Sequence, residues 1–180
     1  MTAVQGSILG NAVLRREDPT LLRGAEKYFD DMPVEGVGYL HFVRSTVAHA
    51  TITAIDTSEA TQMPGVLAVY TADNLDLEPH LGFPLFPPVF ARPLLAKGKV
   101  RLVGDIIAAV VAETRAQAAD AAETIWMDFE QLPAVIDPEA ALAPDAPLLF
   151  EEHGSNMCFE TGIGLEDGDP LEGADHVAEV

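Results

Sequence analysis

Polar and apolar residues alternate through YLHFVR (Tyr39–Arg44) and again through TITAI (51–55), and both runs are rich in β-branched and aromatic side chains. A period of two in such residues predicts two strands. Asp56, Thr57 and Ser58 follow, with side chains suited to accepting backbone N–H bonds at a helix start, and MPGV (63–66) closes that short helix with Pro-Gly turn chemistry. VLAVYT (Val66–Thr71) then resumes as a strand.

A second unit of the same order comes later. IIAAVVA (Ile106–Ala112) is a continuous apolar run of strand length, expected where both faces of a strand are covered. Thr114 and Gln117 form a T-x-x-Q capping box at the head of RAQAADAAET. Along that helix Ala118, Ala122 and Ile125 share one face, small enough to lie close on a sheet, whereas Arg115, Asp120 and Glu123 point elsewhere. Ile125, Met127 and Phe129 then alternate with Trp126, Asp128 and Glu130 as in a half-buried strand. The body therefore reads as an α+β domain of two strand-helix-strand units, with helices packed on a mixed sheet.

Between the units, EPHLGFPLFPPVFARP (78–93) holds five of the 13 prolines and three of the eight phenylalanines. Such a stiff apolar loop must bury its rings, and packing is favoured over use of its Pro84/Pro87 spacing as a polyproline ligand. Past Pro133, prolines at 138, 144 and 147 predict extended or short helical pieces running over a surface. The last 30 residues, with nine acids and no Lys or Arg, read as an arm whose final HVAEV opens a strand without a partner.

Composition narrows the function classes. The 180 residues are 48% hydrophobic, enough for one ordinary core, and the net charge of -19 disfavours nucleic acid and anionic membrane surfaces as partners. The charge is uneven: residues 115–180 hold 16 acids and one base, residues 1–114 hold 13 acids and nine bases. Eight of the ten bases fall in two short segments, Arg15, Arg16, Arg23 and Lys27, then Arg92, Lys97, Lys99 and Arg101. A single cysteine, Cys158, excludes an internal disulfide framework. The N-terminus lacks a secretory pattern, and the longest apolar run is far short of the ~20 residues of a membrane span, so a cytoplasmic protein is expected.

No catalytic, cofactor-binding or metal-binding residue is assigned from the pattern. The histidines at 41, 49, 80, 153 and 176 lack helical metal-site spacing. Cys158 with His153 nearby suggests a thiolate, but the acidic neighbourhood raises thiol pKa values and favours a structural thiol. The glycines of GIGLEDGDPLEG (162–173) fit neither a phosphate cradle nor a calcium loop and read as a solvated turn. Asp30-Asp31 and Glu151-Glu152 are adjacent carboxylates that caps and local ion pairs explain.

Spacing adds what chemistry does not. R-R-E-D-P-x-L-L-x-G-x-x-x-Y-x-D-D (15–31) resembles the N-terminal signature of the molybdenum-binding large subunits of the xanthine dehydrogenase, aldehyde oxidase and aerobic carbon monoxide dehydrogenase family. The R-S-x-x-A-H-A element at Arg44, Ser45, Ala48, His49 and Ala50, within 42–75, and the block at 92–142 are similar to the family's next two blocks, in order. Where the family commonly has Gly-Glu-Pro, this chain has Gly104, Asp105 and Ile106, a shorter acid and a lost proline expected to alter a turn or contact.

The resemblance implies an α/β hammerhead at 14–150, an arm at 1–13 and an acidic linker at 151–180 leading into an absent molybdopterin-binding domain, hence a truncated chain or a split subunit. It implies no cofactor on these residues. In the parent it implies molybdopterin, with 2Fe-2S and FAD on partner subunits or domains, and hydroxylation of an aldehyde, N-heterocycle or carbon monoxide with water-derived oxygen. The implied partners are the remaining catalytic domains and the iron-sulfur and flavin subunits, met through the basic clusters and the Phe/Pro loop. A stand-alone interaction module using Phe83, Phe86 and Phe90 is the alternative.

Overall fold

The computed structural model describes residues 13–32, 34–75, 77–161 and 173–178, in a short N-terminal unit ending at Val37 and a body from Gly38 onward. In the first unit a four-residue helix, α1 (Asp18–Leu21), takes its Pro19 in the first turn, where a missing N–H costs no helical bond. Arg23 Nε donates to the Pro19 carbonyl at 2.7 Å and Arg15 pairs with Asp18 at 3.6 Å. Downstream, the Asp31 carboxylate accepts from the Tyr28 N–H at 3.2 Å in a 3-10 turn, Phe29–Asp31. Mixed charge here serves local capping.

The body runs β1 (Tyr39–Arg44), β2 (Ala50–Asp56), α2 (Ser58–Gln62), β3 (Val66–Thr71), β4 (Lys99–Val100), β5 (Ile106–Ala112), α3 (Arg115–Glu123) and β6 (Trp126–Gln131). The strands form two three-stranded sheets, ordered β1-β5-β3 and β4-β2-β6, and every pairing is antiparallel. The α+β class and both strand-helix-strand units are present, but the single mixed sheet is not. Its physical replacement is clear from the order: β2-α2-β3 and β5-α3-β6 each carry the chain from one sheet to the other, so the two strands of a unit never become parallel neighbours.

The continuous apolar run finds both its faces covered. In β5, Ala108 and Val110 pack with Val43 of β1, Val69 of β3 and the alanines of α2 and α3. Ile107 points the other way and packs with Ala50, Ala96 and Val100 beside the second sheet. Burying one such side chain contributes about 1.5–3 kcal/mol, so this strand ties two cores together.

Helix α3 buries Ala118, Ala121 and Ala122 against the first sheet, and the small side chains permit that approach. At its head the Thr114 hydroxyl accepts from the Gln117 N–H at 3.2 Å, while Gln117 Oε1 accepts from the same hydroxyl at 2.8 Å. The cap forms, without the reciprocal bond to the Thr114 backbone that a full box requires. Gly65, at φ +79°, makes the turn into β3, and a Cβ there would collide with the Gln117 side chain.

The 78–93 loop folds back on its own body. His80 and Arg92 exchange both backbone bonds at 2.8 and 2.9 Å, closing the loop at its base. Phe90 is buried edge-on against Phe150 at 4.8 Å and His153 at 4.6 Å, and Phe83 and Phe86 gather with Phe159. The arm expected after residue 150 thus begins as the loop's packing partner. No strand forms at 176–178; the last two residues of HVAEV, and all of the 162–173 turn except Gly173, lie outside the described residues.

Candidate functional site

Two connections pass between the sheets side by side, and the R-S-x-x-A-H-A residues join them. Residues 44–50 leave β1 for β2, while residues 100–106 leave β4 for β5 in the opposite sense. The Arg44 guanidinium donates to the Gly104 carbonyl at 2.9 Å. Ser45, almost fully buried, receives the Gly104 N–H on its carbonyl at 2.8 Å and gives its own N–H to the Asp105 carbonyl at 2.8 Å. Its hydroxyl closes a tight turn by donating to the Val47 carbonyl at 2.7 Å. These bonds satisfy backbone groups that a buried crossing would otherwise leave unpaired.

Asp105 completes the opposite turn. Its carboxylate accepts from the Arg101 N–H at 2.7 Å and the Leu102 N–H at 3.2 Å, and pairs with the Arg92 guanidinium. The shorter acid at this position reaches its own turn, as an Asx-type side chain does. At 104–106, where the chain departs from the family pattern, the Asp105 carboxylate thus caps the turn.

His49 is buried at the start of β2, with Nδ1 at 2.8 Å from the Pro133 carbonyl, which makes that nitrogen the donor. Its backbone carbonyl accepts from the Leu132 N–H at 2.9 Å, so one residue fastens the exit of β6 twice. Among the described residues the Nε2 atom has no hydrogen-bond partner. Next to it, Ala50 is completely buried opposite Val100 and Gln131.

Arg92, Lys99 and Arg101 of the second basic cluster are bonded within the body. Arg101 Nε donates to the Leu149 carbonyl at 2.6 Å, and the guanidinium stands 4.5 Å over the Phe150 ring. Lys99 donates to Glu151 at 2.9 Å, and through that bond and its charge the ammonium holds the Glu151 carboxyl below the ordinary carboxylate range. Asn156 closes the arm on itself, accepting from the Leu149 N–H and donating to the Ala141 and Pro147 carbonyls. Sequence reasoning missed Asn156; an asparagine amid prolines, with few other donors nearby, was the available signal.

The remaining candidates do not converge. His41 and His176 are exposed, His80 takes part in the loop-closing bridge through its backbone, and His153 Nε2 meets the Met157 carbonyl at 3.0 Å. Cys158 is a half-buried free thiol. Among the described residues no group of three or more His, Cys, Asp or Glu is placed to hold a metal ion, and no helix is long and apolar enough to cross a membrane. What the arrangement can do is hold two sheets and an arm in fixed register.

Known proteins share this architecture. The family model described as "Aldehyde oxidase and xanthine dehydrogenase, a/b hammerhead domain" matches residues 23–133. The chain is similar to the nicotine 6-hydroxylase large subunit of Paenarthrobacter nicotinovorans, 37% identical over 95% of this chain and 21% of that protein. It is also similar to the carbon monoxide dehydrogenase large chain of Afipia carboxidovorans, 40% identical over 86% of this chain and 20% of that one. Among solved structures, the Cu,Mo-CO dehydrogenase in its carbon monoxide reduced state superposes with a TM-score of 0.68 at 39% identity, over 85% of this chain and 19% of that one. The chain spans about a fifth of the length of these relatives.

Proposed function

Because the chain belongs to the aldehyde oxidase and xanthine dehydrogenase family through its α/β hammerhead domain, we propose that it is the structural, assembly-forming domain of a molybdenum hydroxylase large subunit. The observation that carries this reading is the use of the signature residues. Ser45 and His49 are buried, and with the exposed Arg44 they are bonded into the crossings between sheets, which supports a structural use. In this reading the body is a rigid part whose outer surfaces meet the catalytic portion of the large subunit, and 151–180 lead towards it.

The parent enzyme would transfer a water-derived hydroxyl to an aldehyde, an N-heterocycle or carbon monoxide. Molybdopterin in the catalytic portion would supply the oxidative chemistry, with electrons passing to 2Fe-2S and FAD centres on partner subunits or domains. This chain's contribution is to position, with no cofactor of its own. The Arg15, Arg16 and Arg23 segment would tie the domain into that assembly.

Affinity purification of the chain from its native host tests the proposal. A longer molybdenum-containing polypeptide, covalently continuous or tightly associated, is the expected companion, and combined Arg15→Glu, Arg16→Glu and Arg23→Glu changes reduce its recovery or the folding of the chain. A chain recovered alone, with assembly indifferent to that charge reversal, contradicts it.

A further inference from the structure

The loop at 78–93 and the arm at 149–159 are fastened to the sheets by side chains. Among the described residues, the backbone hydrogen bonds within 81–91 are all local, from the N–H groups of Phe86, Phe90 and Ala91 to carbonyls three residues back. At its base the loop pairs with itself through His80 and Arg92, and the Arg92 guanidinium ties that base to Asp105. The arm is built the same way. Its backbone bonds close turns, His153 N–H to Phe150 and Gly154 N–H to Glu151, and Asn156 bonds it to the neighbouring Ala141 and Pro147 carbonyls. Towards β4 and the turn after it, the arm is held by Arg101 at the Leu149 carbonyl and by Lys99 at Glu151.

What joins loop to arm is a set of rings. Phe90 is buried against Phe150 and His153, with centroids 4.8 and 4.6 Å away, and Phe83 and Phe86 lie 5.8 and 6.3 Å from Phe159. Each phenylalanine of the loop therefore has an aromatic neighbour in the arm. The Arg101 guanidinium stands 4.5 Å over the Phe150 ring, so Phe150 is gripped by the body as well as by Phe90. Five prolines stiffen the loop, which favours its moving about its base as one piece. The central strand is held differently: β5 is bonded to a strand on each side and buried on both faces.

We propose that the 78–93 loop and the 149–159 arm form one clasp, a unit that opens and closes as a whole while the two sheets stay folded. Closed, the arm buries Phe90; displaced, it uncovers that ring and leaves the loop held at its base. Segments with few backbone bonds to a core open before the core does, and those that lean on each other share one opening. Residues in contact couple energetically, so loosening either segment loosens the other. The clasp gives the fold a movable part: whatever binds the arm in its displaced position frees the loop, and whatever binds the closed loop holds the arm.

Hydrogen exchange on the full chain, read by peptide mass spectrometry, tests this. The reporting amides are Phe86, Phe90 and Ala91 in the loop, Leu149, His153 and Gly154 in the arm, and Val110 in β5. In wild type at low denaturant, loop and arm should share one opening, less protected than β5. Arg101→Gln removes attachments of the arm alone, yet it should speed exchange in loop and arm together by about tenfold, the scale of a lost cation–π contact and hydrogen bond, with β5 unchanged. Phe90→Ala, on the loop side, should speed the arm. A faster arm beside an unmoved loop, no change in either, or an equal rise in β5 overturns the clasp. Should a variant fail to fold, the wild-type denaturant series still decides, because separate openings for loop and arm, or one opening shared with β5, overturn it as well.

Discussion

His49 shows how a polar residue in an acidic chain can be structural without looking so. Its Nδ1 bond to Pro133 and its carbonyl bond to Leu132 join residues more than 80 positions apart. His49→Ala is expected to lower stability by about 1–3 kcal/mol, read from denaturant unfolding, because a buried donor and its packing are both lost. In the sequence, spacing identified this histidine as part of a motif but could not say what it touched; a turn residue's partners are fixed by tertiary contact. Ser45 was equally opaque, since a serine after a strand fits a turn, a cap or a nucleophile until its hydroxyl is seen on Val47. Among the described residues, two carboxylates contribute to the acid response. Asp56 is held below the ordinary carboxylate range by its bonds to Ser58, and Glu151 by Lys99. A lowered folded-state pKa gives stability that is present above the unfolded-state value of about 4 and is lost as pH falls through the folded value. Asp56→Asn and Glu151→Gln should each flatten the acid side of a melting-temperature profile and leave its neutral side parallel to wild type.

At the scale of elements, what the pattern carries is strand and helix existence. YLHFVR, VLAVYT and IIAAVVA are strands with the bounds the alternation or the apolar run indicates, and β2 extends TITAI by one residue at each end. The two-residue β4 is too short to show any period, and nothing in a period reports which sheet a strand joins. That is why the mixed sheet was expected and two antiparallel sheets are found: helix connections crossing between sheets have the same sequence pattern as helix connections crossing over one. The α3 cap is legible and testable. Thr114→Ala should cost about 1 kcal/mol, the ordinary worth of a lost N-cap. Ile107→Ala, at a fully buried position between β5 and the second sheet, should cost about 2–5 kcal/mol because little around it can close the cavity. Equal losses for these two substitutions in thermal or urea unfolding would contradict the placement of the core.

At the scale of the whole molecule, most of the second basic cluster is bound internally. Lys99, Arg101 and Arg92 are engaged by Glu151, Leu149 and Asp105, holding the C-terminal arm and the loop to the body. The phenylalanines of the loop are likewise drawn into clusters with Phe150 and Phe159, so the feature that most resembled an interaction surface in the sequence is in part a packing device. Arg44, which sequence order placed in a signature, is exposed on the body beside Phe42. Family membership was legible from motif spacing; the substrate was not. The central claim is that these residues support and position a molybdenum hydroxylase without holding its metal, and molybdenum content of the purified 180-residue chain tests it most directly. The account predicts molybdenum far below stoichiometric even after reconstitution with molybdopterin, with the metal found on the longer companion polypeptide; one tightly held molybdenum per 180-residue chain would contradict it.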